Sequence, residues 1–231
     1  MNSVCFTRRG FLAGLLAAAC LLASGVLAQE GHQHRQPRDL KDYLEHLERP
    51  ERDAYQKPAQ VVEALGLKPG MAVADIGSGS GYFTRRFVEA VTETGKVYAV
   101  DVEPELLEYA KQSVEHMHVA SNAEFILARP DNPKLPVESV DLIFVCNTFH
   151  HLEDRSIYFA SLKSALKPGG RIAIVDFHHD ERSGELGFPK RHLVPRETTI
   201  EEMTKAGYQL IKEHSFLPKQ YFLEFVPIVA P

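Results

Sequence analysis

Tryptophan is absent from this 231-residue chain, and cysteine is nearly so. Of three cysteines, Cys5 and Cys20 fall within the first 28 residues, a segment of distinct composition, which leaves Cys146 alone in the remainder. A single thiol closes no disulfide within a chain and builds no thiolate metal cluster, which argues against a stapled scaffold and against an iron–sulfur enzyme. Lysine is missing between Met71 and Val91, the segment that holds a glycine-rich loop. A nucleoside-triphosphate loop ends in Gly-Lys-Ser/Thr to grip phosphate and magnesium, so that ligand is excluded. An excess of positive charge is missing too. With 26 Lys+Arg against 31 Asp+Glu the net charge is −5, which disfavours a nucleic acid partner.

The N-terminus departs from the rest in composition. Thr7-Arg8-Arg9-Gly10-Phe11-Leu12 precedes an uncharged apolar stretch to Ala28, and Val26-Leu27-Ala28 offers small cleavage positions, the pattern of an export signal. The paired arginines followed by Phe11-Leu12 resemble a twin-arginine signal. Residues 1–28 are therefore expected to be a signal peptide and the protein periplasmic, with no stable membrane insertion once the signal is cleaved. An uncleaved anchor is the alternative, because the apolar stretch approaches the ~17 to 25 residues that span a bilayer. Removal of that segment takes Lys+Arg from 26 to 24 against 31 acids, a net charge of −7. The polar segment 29–39, "QEGHQHRQPRD", reads as a flexible linker.

From residue 40 the patterning is that of one domain reaching residue 231. Helical spacing in Leu40, Tyr43, Leu44 and Leu47, then in Val61, Val62 and Leu65, precedes an alternation of strands and helices. Strands are expected at 71–76, 96–100, 124–128, 140–146 and 171–177, and helices at 81–91, 104–116 and 155–166. Such alternation implies right-handed crossovers and a parallel sheet covered on both faces. A helix over 197–206 then leads to strands at 208–216 and 221–226. Their connection is too short for a parallel crossover, so these two strands pair antiparallel.

The stretch "ADIGSGSGYF" places glycine at 77, 79 and 81. A dinucleotide loop wants glycine at its first, third and sixth positions, and here the sixth is Tyr82. Asp75, at the end of the preceding strand, repels a pyrophosphate but suits a ligand with an ammonium group. Asp101 ends the next strand, twenty residues after Gly81, where a carboxylate can accept both ribose hydroxyls. An ammonium, a ribose and no phosphate fit S-adenosylmethionine.

On these residues the chain resembles the class I S-adenosylmethionine-dependent methyltransferases from about Gln56 onward. "VADIGSGSGYF" is similar to their first motif, "VYAVDVEPELLEYAK" to their second, "SVDLIFVCNTFHHL" to their fourth strand, and "LKPGGRIAIVDF" to the turn and fifth strand. The resemblance implies a Rossmann-like α/β fold, a seven-stranded mostly parallel sheet with helices on both faces and an antiparallel last strand. It also implies that Asp75, Gly77, Gly79 and Gly81 line the cofactor loop, that Asp101 holds the ribose, that Asp131 meets the adenine amino group, and that Asn147 contacts the methionine moiety. The family's usual Gly-Asp-Ala after strand three is absent, so Asp131 departs from the pattern. Tyr55-Gln56-Lys57 either closes over the cofactor or simply joins two helices.

Methyl transfer from a sulfonium needs alignment more than acid–base chemistry. Where a base is required, His150, His151 and His178 lie on the loops at the carboxyl ends of strands four and five. No metal is expected. The family's nucleic-acid amino-methylating members carry Asp/Asn-Pro-Pro-aromatic after strand four, and Asn147-Thr148-Phe149-His150 stands there instead. The expected acceptor is a small molecule. An exported protein that binds the nucleoside without turnover, and an NAD(P)-dependent oxidoreductase, are the alternatives.

Overall fold

The structure, a computed structural model, describes residues 39–117, 122–186 and 189–228. The expected signal peptide and all of the expected linker except Asp39 lie outside the described residues. Asp39 itself caps the first helix, its carboxylate accepting from the Lys41 backbone N–H at 2.8 Å.

Three helices come first: α1 (Leu40–Glu48), α2 (Glu51–Gln56) and α3 (Pro58–Leu65). The alternating part follows as β1 (Ala72–Ile76), α4 (Tyr82–Val91), β2 (Lys96–Asp101), α5 (Pro104–Glu115), β3 (Ala123–Leu127), β4 (Val140–Cys146), α6 (Arg155–Ser161) and β5 (Leu166–Phe177). The chain closes with α7 (Arg196–Lys205), β6 (Tyr208–His214) and β7 (Gln220–Pro227). The seven strands form one sheet in the order β3-β2-β1-β4-β5-β7-β6. β7 runs antiparallel to both β5 and β6, and the pairs from β3 across to β5 are all parallel. This is the Rossmann-like methyltransferase fold expected from the sequence.

Burial on both faces explains why the central strands are apolar throughout rather than alternating. Successive side chains of β1, β4 and β5 go to opposite faces. Ala74, Ile143, Val145, Ile172 and Ile174 join α6 and α7 through Phe159 and Met203, whereas Val73, Leu142, Phe144, Ala173 and Val175 join α3 and α4 through Val61, Phe83 and Phe87. The order reverses at β1: β2 and β3 lie on one side, β4 and β5 on the other. In open sheets of this kind the crevice for a ligand opens beyond the carboxyl ends of the strands at that point.

Beyond shifts of one or two residues at element ends, three elements differ from expectation, each for a local reason. α6 stops at Ser161 and continues as a tighter turn over Leu162–Ala165, shorter than the helix expected to 166. β5 begins at Leu166, before the Lys167-Pro168-Gly169-Gly170 turn, because Val140 pairs with Leu166 and Leu142 with Arg171, leaving the turn as a bulge inside the strand. α2 has only six residues, too few for periodicity to reveal. Among the described residues no helix is long and apolar enough to cross a membrane.

Candidate active site

The glycine loop leaves β1 at Ile76 and folds back against β2, with the Gly77 and Ser78 backbone N–H groups donating to the Val100 carbonyl at 2.8 and 3.1 Å. Gly77 has φ +72°, and a Cβ there would sit 2.1 Å from Thr148 Oγ1. Glycine is required because the loop after β4 passes directly over it. Gly79 faces the Leu47 side chain of α1, and Gly81 starts α4 against Ala110 of α5. Gly81 is thus a packing position between two helices. The Ser78 and Ser80 hydroxyls are buried in this loop without a hydrogen-bond partner. Buried polar atoms left so are costly in a finished core, and they fit a site that a polar ligand completes.

Two carboxylates flank the loop. Asp75, 3% exposed, accepts from the Thr84 hydroxyl at 2.6 Å. Burial pushes its pKa up to about 6, opposed by the Thr84 hydrogen bond and the positive charge of Arg52 and reinforced by Asp101. Asp101 ends β2 with both oxygens engaged, one accepting from the Gly79 N–H at 2.7 Å and the other from the Glu103 N–H at 3.0 Å. Its pKa is also raised by burial, against the pull of those hydrogen bonds. The same carboxylate that would hold a ribose therefore fixes the loop.

The first shared wall of the site is the loop after β4. Asn147 adopts φ +54°, gives its N–H to the Val175 carbonyl at 2.9 Å and accepts at Oδ1 from Gln220 Nε2 at 2.6 Å. Asp75, Gly77, Gly79, Asp101 and Asn147 thus come together at the ends of β1, β2 and β4. Asp131 is set apart: it sits in the Arg129–Asn132 turn after β3, its side chain 78% exposed, with Arg129 Nε at 3.3 Å.

The histidines separate by burial. His150 Nδ1 lies 2.8 and 3.0 Å from the two oxygens of Asp176, and the His150 backbone N–H donates to the same carboxylate at 3.1 Å. With side chains 2% and 1% exposed, this pair ties the loop after β4 to the end of β5. The His151 ring lies against His150 at a tilt of 45°, with ring centres 4.1 Å apart, and the residue is exposed. His178 is buried beside Tyr221, and burial lowers its pKa. Among the described residues no group of three or more His, Cys, Asp or Glu side chains is placed to hold a metal. Cys146 is buried under Gln56, and burial pushes its thiol well up, which suits a core residue rather than a nucleophile.

Several members of the site escaped the sequence. Asp176 ends β5 as Asp75 and Asp101 end β1 and β2, and that repeated placement is the signal that could have found it. Arg52 on α2 carries no pattern of its own, whereas Gln56, four residues on, lies in the Tyr55-Gln56-Lys57 segment read above as a candidate to close over the cofactor.

Residues 67–213 match the methyltransferase-domain family. The chain belongs to that family. Its fold and glycine loop are those of a methyltransferase that uses S-adenosylmethionine. It is 26% identical over 116 residues to the ubiquinone/menaquinone biosynthesis C-methyltransferase of Shewanella halifaxensis, covering 50% of this chain and 46% of that one. The Escherichia coli O1:K1 protein of the same name is 28% identical over the same shares. The chain spans about half the length of the curated relatives it matches. Among solved structures, a SAM-dependent methyltransferase from Aquifex aeolicus superposes with a TM-score of 0.74 at 28% identity, over 82% of this chain and 98% of the other.

Proposed function

We propose that the protein is an S-adenosylmethionine-dependent methyltransferase acting on a small-molecule acceptor. The observation that carries this reading is the pair of buried carboxylates, Asp75 and Asp101, on either side of a loop with two unsatisfied buried hydroxyls. The cofactor supplies an activated methyl group on a sulfonium. The chain's part is to bind it, exclude water and align the acceptor.

Asp75 provides a negative pole for the ammonium of the methionine end, and Asp101 provides the acceptor oxygens for ribose. Displacement at the methyl carbon is in line, so the acceptor enters from the far side of the sulfonium. A cavity of about 420 Å³ lined by Arg49, Tyr55, Glu185 and Lys219 opens beside α2 and the β6–β7 turn, and we assign the acceptor to it. The carbon-methylating relatives and the negative net charge support a small molecule over nucleic acid. Where the acceptor must lose a proton, His151 and His178 are the candidates. His150 is engaged with Asp176 and holds the loop.

Calorimetry on the full chain tests the reading. S-adenosylmethionine and S-adenosylhomocysteine bind and NAD does not, and Asp101→Ala weakens the nucleosides by about 10 to 100-fold, the range for losing hydrogen bonds to a charged group. Binding of NAD alone would sink it. Export is proposed on Arg8-Arg9 and the apolar stretch to Ala28.

A further inference from the structure

The cavity beside α2 is built around one aromatic side chain. Tyr55 is half-buried, and its ring centre lies 5.9 Å from that of Phe177, the last residue of β5. That contact puts the cavity at the carboxyl edge of the sheet, where ligands of such folds bind. Lys219 reaches it from the β6–β7 connection. Its carbonyl accepts from the His178 N–H at 3.1 Å, and its Nζ lies 5.3 Å from the Tyr55 ring centre. With a volume of about 420 Å³ the space stands at the small end of ligand pockets, which run from about 300 to 1,000 Å³.

The charges on its wall are unevenly held. Arg49, Glu51, Glu185 and Lys219 all line it, and among the described residues none of the four forms an ion pair. The two acids stand exposed. The two cations are gathered on the aromatic wall, Lys219 at the ring and Arg49 near the hydroxyl. Burial raises the pKa of that hydroxyl, and the opposing pull comes from Arg52 and Arg49. His46, whose Nε2 lies 3.5 Å from Arg49 Nη2, feels the same field: burial lowers its pKa, and Arg49 and Arg52 lower it further. Three cations, Arg49, Arg52 and Lys219, therefore bear on Tyr55 in a chain whose net charge is −5. A cationic acceptor meets like charge at this wall, whereas an anion meets cations that no carboxylate of the protein has claimed. The phenol ring itself suits a flat, apolar partner.

We propose that the acceptor is an aromatic acid, its ring laid against Tyr55 and its carboxylate met by Arg49 and Lys219. This rests on the methyltransferase reading above and on the place given there to the acceptor, and it adds the substrate class. Arg49 and Lys219 are then specificity residues that select by charge.

Calorimetry on the full chain saturated with S-adenosylhomocysteine compares three probes that differ in one substituent: 3,4-dihydroxybenzoate, its neutral carboxamide and 3,4-dihydroxybenzylamine. The acid binds about tenfold or more tightly than the amide, the lower end for hydrogen bonds to a charged group at an open site, and the amine binds more weakly still. Arg49→Met and Lys219→Met each cut the acid-to-amide ratio by about threefold, and Lys219→Arg keeps it. An amide or amine that binds as tightly as the acid overturns the inference. So does an acid that fails to bind the loaded chain, or a ratio unchanged in both methionine variants, and each of these leaves the methyltransferase reading standing. A chain that takes up no S-adenosylhomocysteine overturns both. Should a variant not fold, the ranking of the three probes on the wild type decides alone.

Discussion

At Asp75, desolvation outweighs the Thr84 hydrogen bond, and the folded pKa of about 6 stands above the ordinary carboxylate value of 3.8. An acid with a raised folded pKa binds its proton more tightly when folded. Stability is therefore full below pH 4 on this account and is lost as pH rises through 6, by roughly 3 kcal/mol from this group alone. Cofactor binding runs the other way, because an ammonium prefers the ionised carboxylate. The affinity for S-adenosylhomocysteine should rise about tenfold between pH 5 and 7, and Asp75→Asn should flatten that profile. A titration that is equally steep in the variant would locate the proton elsewhere. Gly77 offers a steric counterpart: Gly77→Ala meets Thr148 and a left-handed backbone together, and should lose measurable nucleoside binding as well as ~2 kcal/mol or more of stability by chemical denaturation.

The first two helices illustrate what a single element contributes. α1 has no buried residue, and it is held by the Arg85–Glu48 pair and by Leu47 over Gly79 rather than by a core. α2 is fastened through Tyr82, whose hydroxyl donates to Asp53 and whose ring carries Arg52. Segments with few buried apolar contacts open locally before the domain unfolds. Amide exchange over residues 40–56 should therefore be faster than over β1 or β4, and S-adenosylhomocysteine should slow it. Tyr82→Ala should raise exchange there without changing protection in β5. The β5 bulge is another element-scale result, since residues 167–170 lie opposite the single residue Asp141 and still allow Leu166 and Arg171 both to pair with β4.

Across the whole molecule the sheet divides two cores, and Phe144 stands at the centre of one of them. It is fully buried, with ring centres 4.8 Å from Phe83 and 5.1 Å from Phe87. Phe144→Ala should cost about 3 to 5 kcal/mol and lower the melting temperature by roughly 10 °C in a chain of this size. At the same scale lies destination: replacing Arg8 and Arg9 together by lysine should leave the protein in the cytoplasm if the paired arginines direct export, and cell fractionation reads the result.

The order of strands and helices, the glycine loop, Asp75 and Asp101 were legible in the chain itself, because apolar periodicity and turn residues act over a few neighbours and the motif residues are contiguous. The antiparallel last pair was legible for the same reason, being set by a short connection between Tyr208–His214 and Gln220–Pro227. What joins distant segments was not. Asp176 met His150 across 26 residues, Gln220 met Asn147 across 73, and Gln56 met Cys146 across 90. None of these pairs has a spacing that local physics enforces; the first two exist because the chain's connections bring strand ends to one edge of the sheet, and the third because the end of α2 lies against the end of β4. Packing likewise set Asp131 in solvent and buried Arg52, since burial depends on which element lies overhead and not on the residue's own neighbours in sequence.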